Sequence, residues 1–377
     1  MMNKYLSKIN KILRENREKL KKSDIFYPRI EKVVNGYYLE LWFSTNGCSF
    51  DKLGSCTMCN YGIGYKIEND IIIDKLRNYI KNLDIKITEI MISPSGSLWD
   101  TKEVNDNLLK EIYSLVNETY IPTFMIETRI DTISEKKLTQ FRKFLPTKKL
   151  IIEVGLESSN EWILNYLINK KLDIKNFKNI VKQAKDNNIE IYTNISLGNA
   201  FLSFEEIIED AIKSINFAFE NGSSKVVLFP IHIKPNTFIN WLYQNNFYKP
   251  ISLWLLVDIL SLVDKSLLKN IEIAWYKSYY EDDSKMVYSP TTCPKCRNKV
   301  IKLLDEYRAT CEYSVIDKLN KIECECKNEY KKYLNKNNKL LLDRVIEIYK
   351  IATNKFLGEK LDNKFIEKMK DEYVANF

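Results

Sequence analysis

The chain reads as an α/β protein whose parallel strands form an open, partial barrel of six βα units, followed by a mostly helical, cysteine-containing C-terminal unit. Three observations predict this. Short apolar, extended segments alternate with helically spaced ones, the pattern of βαβ units. The intervals between strands, roughly 30 to 50 residues, suit right-handed crossovers. Beyond residue 240 the alternation gives way to long, charged helical stretches that carry five of the eight cysteines.

In chain order, a charged amphipathic helix is expected near residues 2 to 22. Strands follow near Tyr37 to Ser44, Ile85 to Ser93, Thr123 to Glu127, Leu150 to Gly155, Ile189 to Ser196 and Lys225 to Ile231, each an apolar run bounded by polar residues. Between them, Ile71 to Lys81, Lys102 to Glu118, Ser134 to Phe144, Ile174 to Asn187 and Phe204 to Glu220 repeat apolar residues at helical spacing, with Ser134 and Ser203 as N-caps. The expected organisation is an N-terminal helical extension over 1–34, the barrel over 35–240 and a helical domain over 241–377. The Lys and Asn run from Lys331 to Lys339 reads as a solvated turn.

At 377 residues with 45% apolar residues the chain has enough material for a sizeable core. No apolar stretch reaches bilayer length; Ile251 to Val263 is too short and holds Asp258. The first residues carry charges throughout and no apolar centre, unlike a secretion signal. A cytoplasmic protein without a membrane partner is the expectation, in which free thiols serve metal or redox chemistry rather than disulfides. The net charge of +8 fits a nucleic-acid partner and equally a solvated lysine surface.

Cys48, Cys56 and Cys59 follow the first of the six strands within one short loop. Three thiolates can hold three corners of a cubane iron-sulfur cluster and leave the fourth iron open. A structural zinc would need a fourth Cys or His nearby, but the next cysteine is Cys293 and the only histidine is His232. Loops at strand C-termini are where α/β barrels do chemistry. Far along the chain, Cys293-Pro-Lys-Cys296 forms a knuckle, and Cys324 and Cys326 complete four thiolates for a closed tetrahedral zinc, with a second iron-sulfur cluster as the alternative and Cys311 to spare.

The loop from Asn46 to Gly62 resembles the cluster loop of radical S-adenosylmethionine (SAM) enzymes, in the branch like the elongator catalytic subunit, and most closely the archaeosine-biosynthesis family. Ser93 to Asp100 is similar to that branch's Ser-Gly-Ser segment, Ile126 to Asp131 to its Glu-Thr-Arg segment, and Glu153 to Ser158 to its Gly-Leu-Glu segment. The C-terminal cysteines resemble its second cysteine cluster. The likeness spans roughly residues 35 to 330 and implies a (β/α)6 barrel of radical SAM type. It further implies a 4Fe-4S cluster on Cys48, Cys56 and Cys59 that cleaves SAM to a 5′-deoxyadenosyl radical, with a reductase, flavodoxin or ferredoxin as electron donor. Tyr61, Ser95, Gly96, Ser97, Glu127, Arg129, Glu153, Glu157, Ser158 and Asn194 are the cofactor-binding candidates it points to. His232 and Asn236 follow the sixth strand and are candidates for the substrate pocket.

Plainer readings stand beside these. Arg129 with Glu127 also fits an ion pair at a barrel rim, Gly155 a tight turn, Glu157 with Ser158 a helix start, and His232 a satisfied turn residue. For substrate, the resemblance implies a tRNA base, with hydrogen abstraction opening C–N bond cleavage beside a 7-deazaguanine. Leu197-Gly-Asn-Ala200 departs from the proline-rich stretch of that branch, so a small molecule or peptide remains an alternative substrate. A non-catalytic zinc protein that binds RNA is a further alternative.

Overall fold

The structure is a computed structural model that describes residues 3–17, 26–94, 96–170, 172–277, 286–334 and 339–377. Its centre is one sheet of eight strands in sequential order: β1 Phe26–Val33, β2 Gly36–Phe43, β3 Glu89–Pro94, β4 Thr123–Glu127, β5 Lys149–Glu157, β6 Ile189–Leu197, β7 Lys225–Pro230 and β8 Ile271–Ile273. β1 and β2 form an antiparallel hairpin, and every later pair is parallel. The six expected strands are β2 to β7. Sequence reading missed the two edges for physical reasons: β1 carries Pro28 and alternating charges, as edge strands do, and β8 has only three residues.

Strand alternation sorts the side chains into two faces. Outward residues such as Leu41, Ile90, Phe124 and Ile152 are buried under the crossover helices. Inward, Tyr38, Met91, Met125, Ile151, Tyr192, Val227 and Ala274, one from each of β2 to β7 and one just after β8, pack into an apolar layer. The crossover helices match expectation closely; Ser134 caps Glu135–Phe144, and Ser203 with Glu206 makes a reciprocal capping box on Phe204–Glu220. The turn before Asp106 shortens the expected helix from Lys102.

The sheet edges are joined by the helix Pro294–Thr310. Its Arg308 pairs with Glu31 on β1 and donates to the Ile273 carbonyl on β8, while the Tyr307 hydroxyl donates to the Ile271 carbonyl at 3.0 Å. The N-terminal helix Lys4–Glu15 lies against Leu341–Leu357: Asn3 caps it and also donates through Nδ2 to the Tyr349 hydroxyl at 2.8 Å. One apolar cluster runs from β6 and β7 through these C-terminal helices. Residues 18–22 of the expected first helix lie outside the described residues, as do 335–338 of the Lys and Asn run. Among the described residues no helix is long and apolar enough to cross a membrane.

Candidate functional site

After β2 the chain turns at Gly47, where φ is +90° and a Cβ would lie 2.8 Å from the Gly64 nitrogen, so no side chain fits. Cys48 then donates its N–H to the Tyr61 carbonyl at 2.8 Å, closing the loop on itself. The stretch Ser55 to Thr57 is pinned to residues 167–169, where Thr57 N–H meets the Ile168 carbonyl at 2.9 Å and Ser55 Oγ the Asn169 carbonyl at 2.8 Å. That anchor follows a π-helical turn, Leu164–Ile168, of the kind that recurs at functional sites.

The N-terminal helix holds the loop from the other side. Asn10 donates to the Gly54 carbonyl at 2.9 Å, Arg14 to the Gly62 carbonyl at 2.6 Å, and Arg17 grips both Asp51 oxygens at 2.8 and 2.6 Å. Both side chains of the Arg17–Asp51 pair are 2% exposed. Arg17 Nε also reaches the Asn236 carbonyl, and Asn236 returns a bond from Nδ2 to the Asn16 carbonyl. Asn236, expected in the substrate pocket, belongs to this clamp and does not line the cavity.

The cavity inside the barrel, about 490 Å³, is lined from Glu89 at the start of β3 to the loops that follow the strand C-termini. Cys48, Cys56, Cys59, Tyr61, Gly96, Ser97, Glu127, Arg129, Glu153, Glu157, Asn194 and His232 all line it. Ser95 lies outside the described residues. Ser158 points away, as the residue after the inward Glu157 does by alternation: it is fully buried and donates to Asp210 on a crossover helix at 2.6 Å.

Burial raises all three loop thiols, Cys48 to about 12, and Cys59 pushes the other two further up. Against this stand three cations. Arg129 lowers Cys48, Lys170 lowers Cys56 and Lys234 lowers Cys59. Three soft donors on one wall, each faced by a positive side chain, suit an anionic thiolate-bound cluster and match the chemistry of a cubane.

Arg129 is not paired with Glu127. Its guanidinium meets Asp100 at 2.7 Å, Glu103 at 3.1 Å and Asp131 at 3.0 Å, lies 3.8 Å from Cys48 Sγ, and sits over the Phe50 ring. Burial pushes Asp100 up, but bonds from Ser49 and Arg129 outweigh it and hold this carboxyl at about 2. The fork of this cofactor-binding candidate is thus largely occupied by protein acids. Glu157, at φ +68°, pairs with Lys170 at 2.9 Å, and Lys170 also donates to the Gly155 carbonyl at 2.7 Å. His232 has both ring nitrogens engaged, one with Ser289 Oγ at 3.0 Å and one with the Trp275 carbonyl at 2.6 Å.

Sequence reasoning missed Lys170, Glu103, Asp51 and Arg17. Only Asp51 carried a signal, being an acid inside the cysteine loop; the others are distant in sequence from what they touch.

The second cysteine group is separate. The sulfurs of Cys293, Cys296, Cys324 and Cys326 all lie within 4.8 Å of one another, a spacing that lets one ion reach all four. Trp254 Nε1–H donates to Cys326 at 3.2 Å. Cys311 stands apart, buried near the Ile271 carbonyl.

No family model matches the chain. It is 29% identical over 315 residues to an uncharacterized protein of Methanocaldococcus jannaschii, covering 81% of this chain and 84% of that one. With the archaeosine synthase subunit beta of Methanosarcina acetivorans it shares 26% identity, over 80% of this chain and 87% of the relative. Among solved structures, methylornithine synthase superposes with a TM-score of 0.50 at 12% identity, over 97% of this chain and 91% of that one, which is a likeness of fold. The chain is thus similar in sequence to archaeosine synthase subunit beta over most of both chains, and in fold to methylornithine synthase.

Proposed function

We propose that the protein is a radical SAM enzyme that modifies a tRNA base, cleaving a C–N bond in a side chain carried by a 7-deazaguanine. The observation that carries the chemistry is the trio Cys48, Cys56 and Cys59 on the wall of the cavity inside the barrel. The observation that carries the substrate is the relationship to archaeosine synthase subunit beta.

Cys48, Cys56 and Cys59 would hold a 4Fe-4S cluster, and the surface formed by Tyr61, Gly96, Ser97, Arg129 and Glu157 would hold SAM against it. Together these groups supply one-electron cleavage of a sulfonium and a carbon-centred radical. The chain's own residues do the rest. Arg129 lowers Cys48, Lys170 lowers Cys56 and Lys234 lowers Cys59, each partly offsetting the rise that burial imposes on its thiol. Ser97 Oγ accepts from the Arg129 N–H at 3.0 Å and so fixes the segment after β3 against that after β4. A reductase, flavodoxin or ferredoxin would deliver the electron. Cys293, Cys296, Cys324 and Cys326 would hold a structural zinc.

The test is anaerobic incubation of reconstituted protein with SAM and a reductant. 5′-Deoxyadenosine that rises only when tRNA is added supports the reading; release indifferent to tRNA assigns a small molecule or peptide as substrate. Iron-free protein that holds zinc alone and still binds RNA would select the non-catalytic alternative.

A further inference from the structure

Arg129 lies on the surface assigned to SAM above, yet the protein itself already takes up its side-chain N–H groups. A guanidinium has five donors and no acceptor. Nε–H goes to Asp131 at 3.0 Å. Nη1 meets Glu103 at 3.1 Å, Ser97 Oγ at 3.3 Å and Cys48 Sγ at 3.8 Å, while Nη2 meets Asp100 at 2.7 Å and Ser49 Oγ at 3.4 Å. The Phe50 ring lies against the guanidinium, its centroid 4.6 Å from Cζ. Six acceptor groups for five donors leave no N–H over for a ligand carboxylate.

What these contacts share is Cys48. Ser49 and Phe50 are the two residues that follow it. Glu103, whose side chain is wholly buried, accepts from the Ser49 N–H and the Ser97 N–H, each at 3.0 Å, as well as from Arg129. Asp100 accepts from the Ser49 hydroxyl and from Arg129. One group of ions thus grips this cysteine by its following backbone and by its sulfur together. The other two loop cysteines are held differently. Lys170 spends its Nζ on the Gly155 carbonyl and on Glu157, and Lys234 stands over the Tyr61 ring. Two members of the group also act on Cys48 in opposite directions. After burial, the largest influence on the thiol is Glu103, which raises it, whereas Arg129 lowers it.

We propose that Arg129 and Glu103 are positioning residues for Cys48, which together seat its sulfur and set the reduction potential of the iron-sulfur cluster it would hold. Nearby charge and hydrogen bonds to the sulfurs are among the factors that fix such a potential. Reduction adds one negative charge, so a cation beside the thiolate favours the reduced form and an anion disfavours it. Both side chains are shielded from solvent, Arg129 at 13% exposed and Glu103 at 0%, so water weakens neither influence much. Arg129 therefore makes reduction easier and Glu103 makes it harder. The guanidinium keeps its charge at every working pH, which makes the setting independent of proton uptake at this position. Residues that only fastened the loop would move the potential in one common direction when removed.

The inference rests on Cys48 holding a cluster, as proposed above, and its test separates the two. Full-length protein is reconstituted anaerobically without SAM, and the reduced cluster is followed by EPR through a redox titration. At a fixed potential the ratio of reduced to oxidised cluster is expected to fall about threefold or more in Arg129→Gln and to rise by as much in Glu103→Gln, with Arg129→Lys between Arg129→Gln and the parent. Shifts of one sign in both Gln variants, or no shift, overturn the proposal. Parent protein labelled with 15N-arginine gives a second reading that does not depend on any variant folding. Pulsed EPR of its reduced cluster is expected to show a 15N coupling that persists when SAM is added. A coupling that is missing, or that SAM abolishes, overturns the proposal, since the guanidinium would then not be held at the sulfur. Iron uptake with an unmoved potential and no coupling overturns this inference alone; cysteines that take up no iron overturn the proposed function with it.

Discussion

Asp210 shows what a single residue can reveal about pH. Burial raises its carboxyl to about 7 despite the bond from Ser158, and Glu127 and Glu153 are raised likewise. In the unfolded chain these acids lose their protons near 4, whereas the fold keeps them protonated to about 7 or 8. Across that window the native state binds more protons, so stability is greatest at the acidic end and falls as pH rises through about 8. Asp210→Asn is expected to melt higher than the parent at pH 8 and level with it at pH 5, measured by thermal scans across that range. The residues most legible in the sequence were those packed into short motifs: the loop cysteines, and Glu127 and Arg129 two apart after one strand. Their partners were not legible. Nothing in the sequence links Arg129 to Glu103, or Glu157 to Lys170, because a crossover or a bulge intervenes and proximity is set by the barrel's closure.

At the scale of elements, the cysteine loop is seated by two helical segments that sequence reading did not connect with it. Arg17→Gln leaves Asp51 buried without its cation, and such a loss costs about 3–5 kcal/mol. Denaturant unfolding should show it, together with faster loss of iron to a chelator. Gly54 has φ +85°, and a Cβ there would lie 2.2 Å from the Ser7 carbonyl oxygen. Gly54→Ala is expected to push the loop off the N-terminal helix and lower iron retention after reconstitution. The parallel strands were readable because their two buried faces make nearly continuous apolar runs; the hairpin edge β1, wet on one side and rich in charge, was not. The C-terminal knuckle was readable by spacing alone, and its four sulfurs do converge. Cys296→Ser should reduce bound metal at that group and lower the melting temperature by several degrees, checked by metal analysis beside calorimetry.

For the whole molecule, the decisive feature is the bridge that Arg308 makes between the first and last strands. An eight-stranded sheet in sequential order has two free edges, and here one side chain joins them beneath the cavity. Arg308→Ala is expected to raise hydrogen exchange in β1 and β8 while leaving β4 and β5 protected, a pattern that distinguishes edge opening from global destabilisation. The barrel itself was legible from alternation and spacing. Its closure was not, because it depends on a helix more than 260 residues beyond the strand it clasps, a distance over which local patterning carries no information.

The turn Leu164–Ile168 holds one residue more than an ordinary helical turn would, and that surplus sets the bearing of Asn169 and Lys170. Excising a single amino acid there would swing everything downstream by roughly 100° about the axis. The lysine would leave Glu157, the asparagine would let go of Gly54, and the wall that carries the loop cysteines would lose its backing without any change to a cysteine.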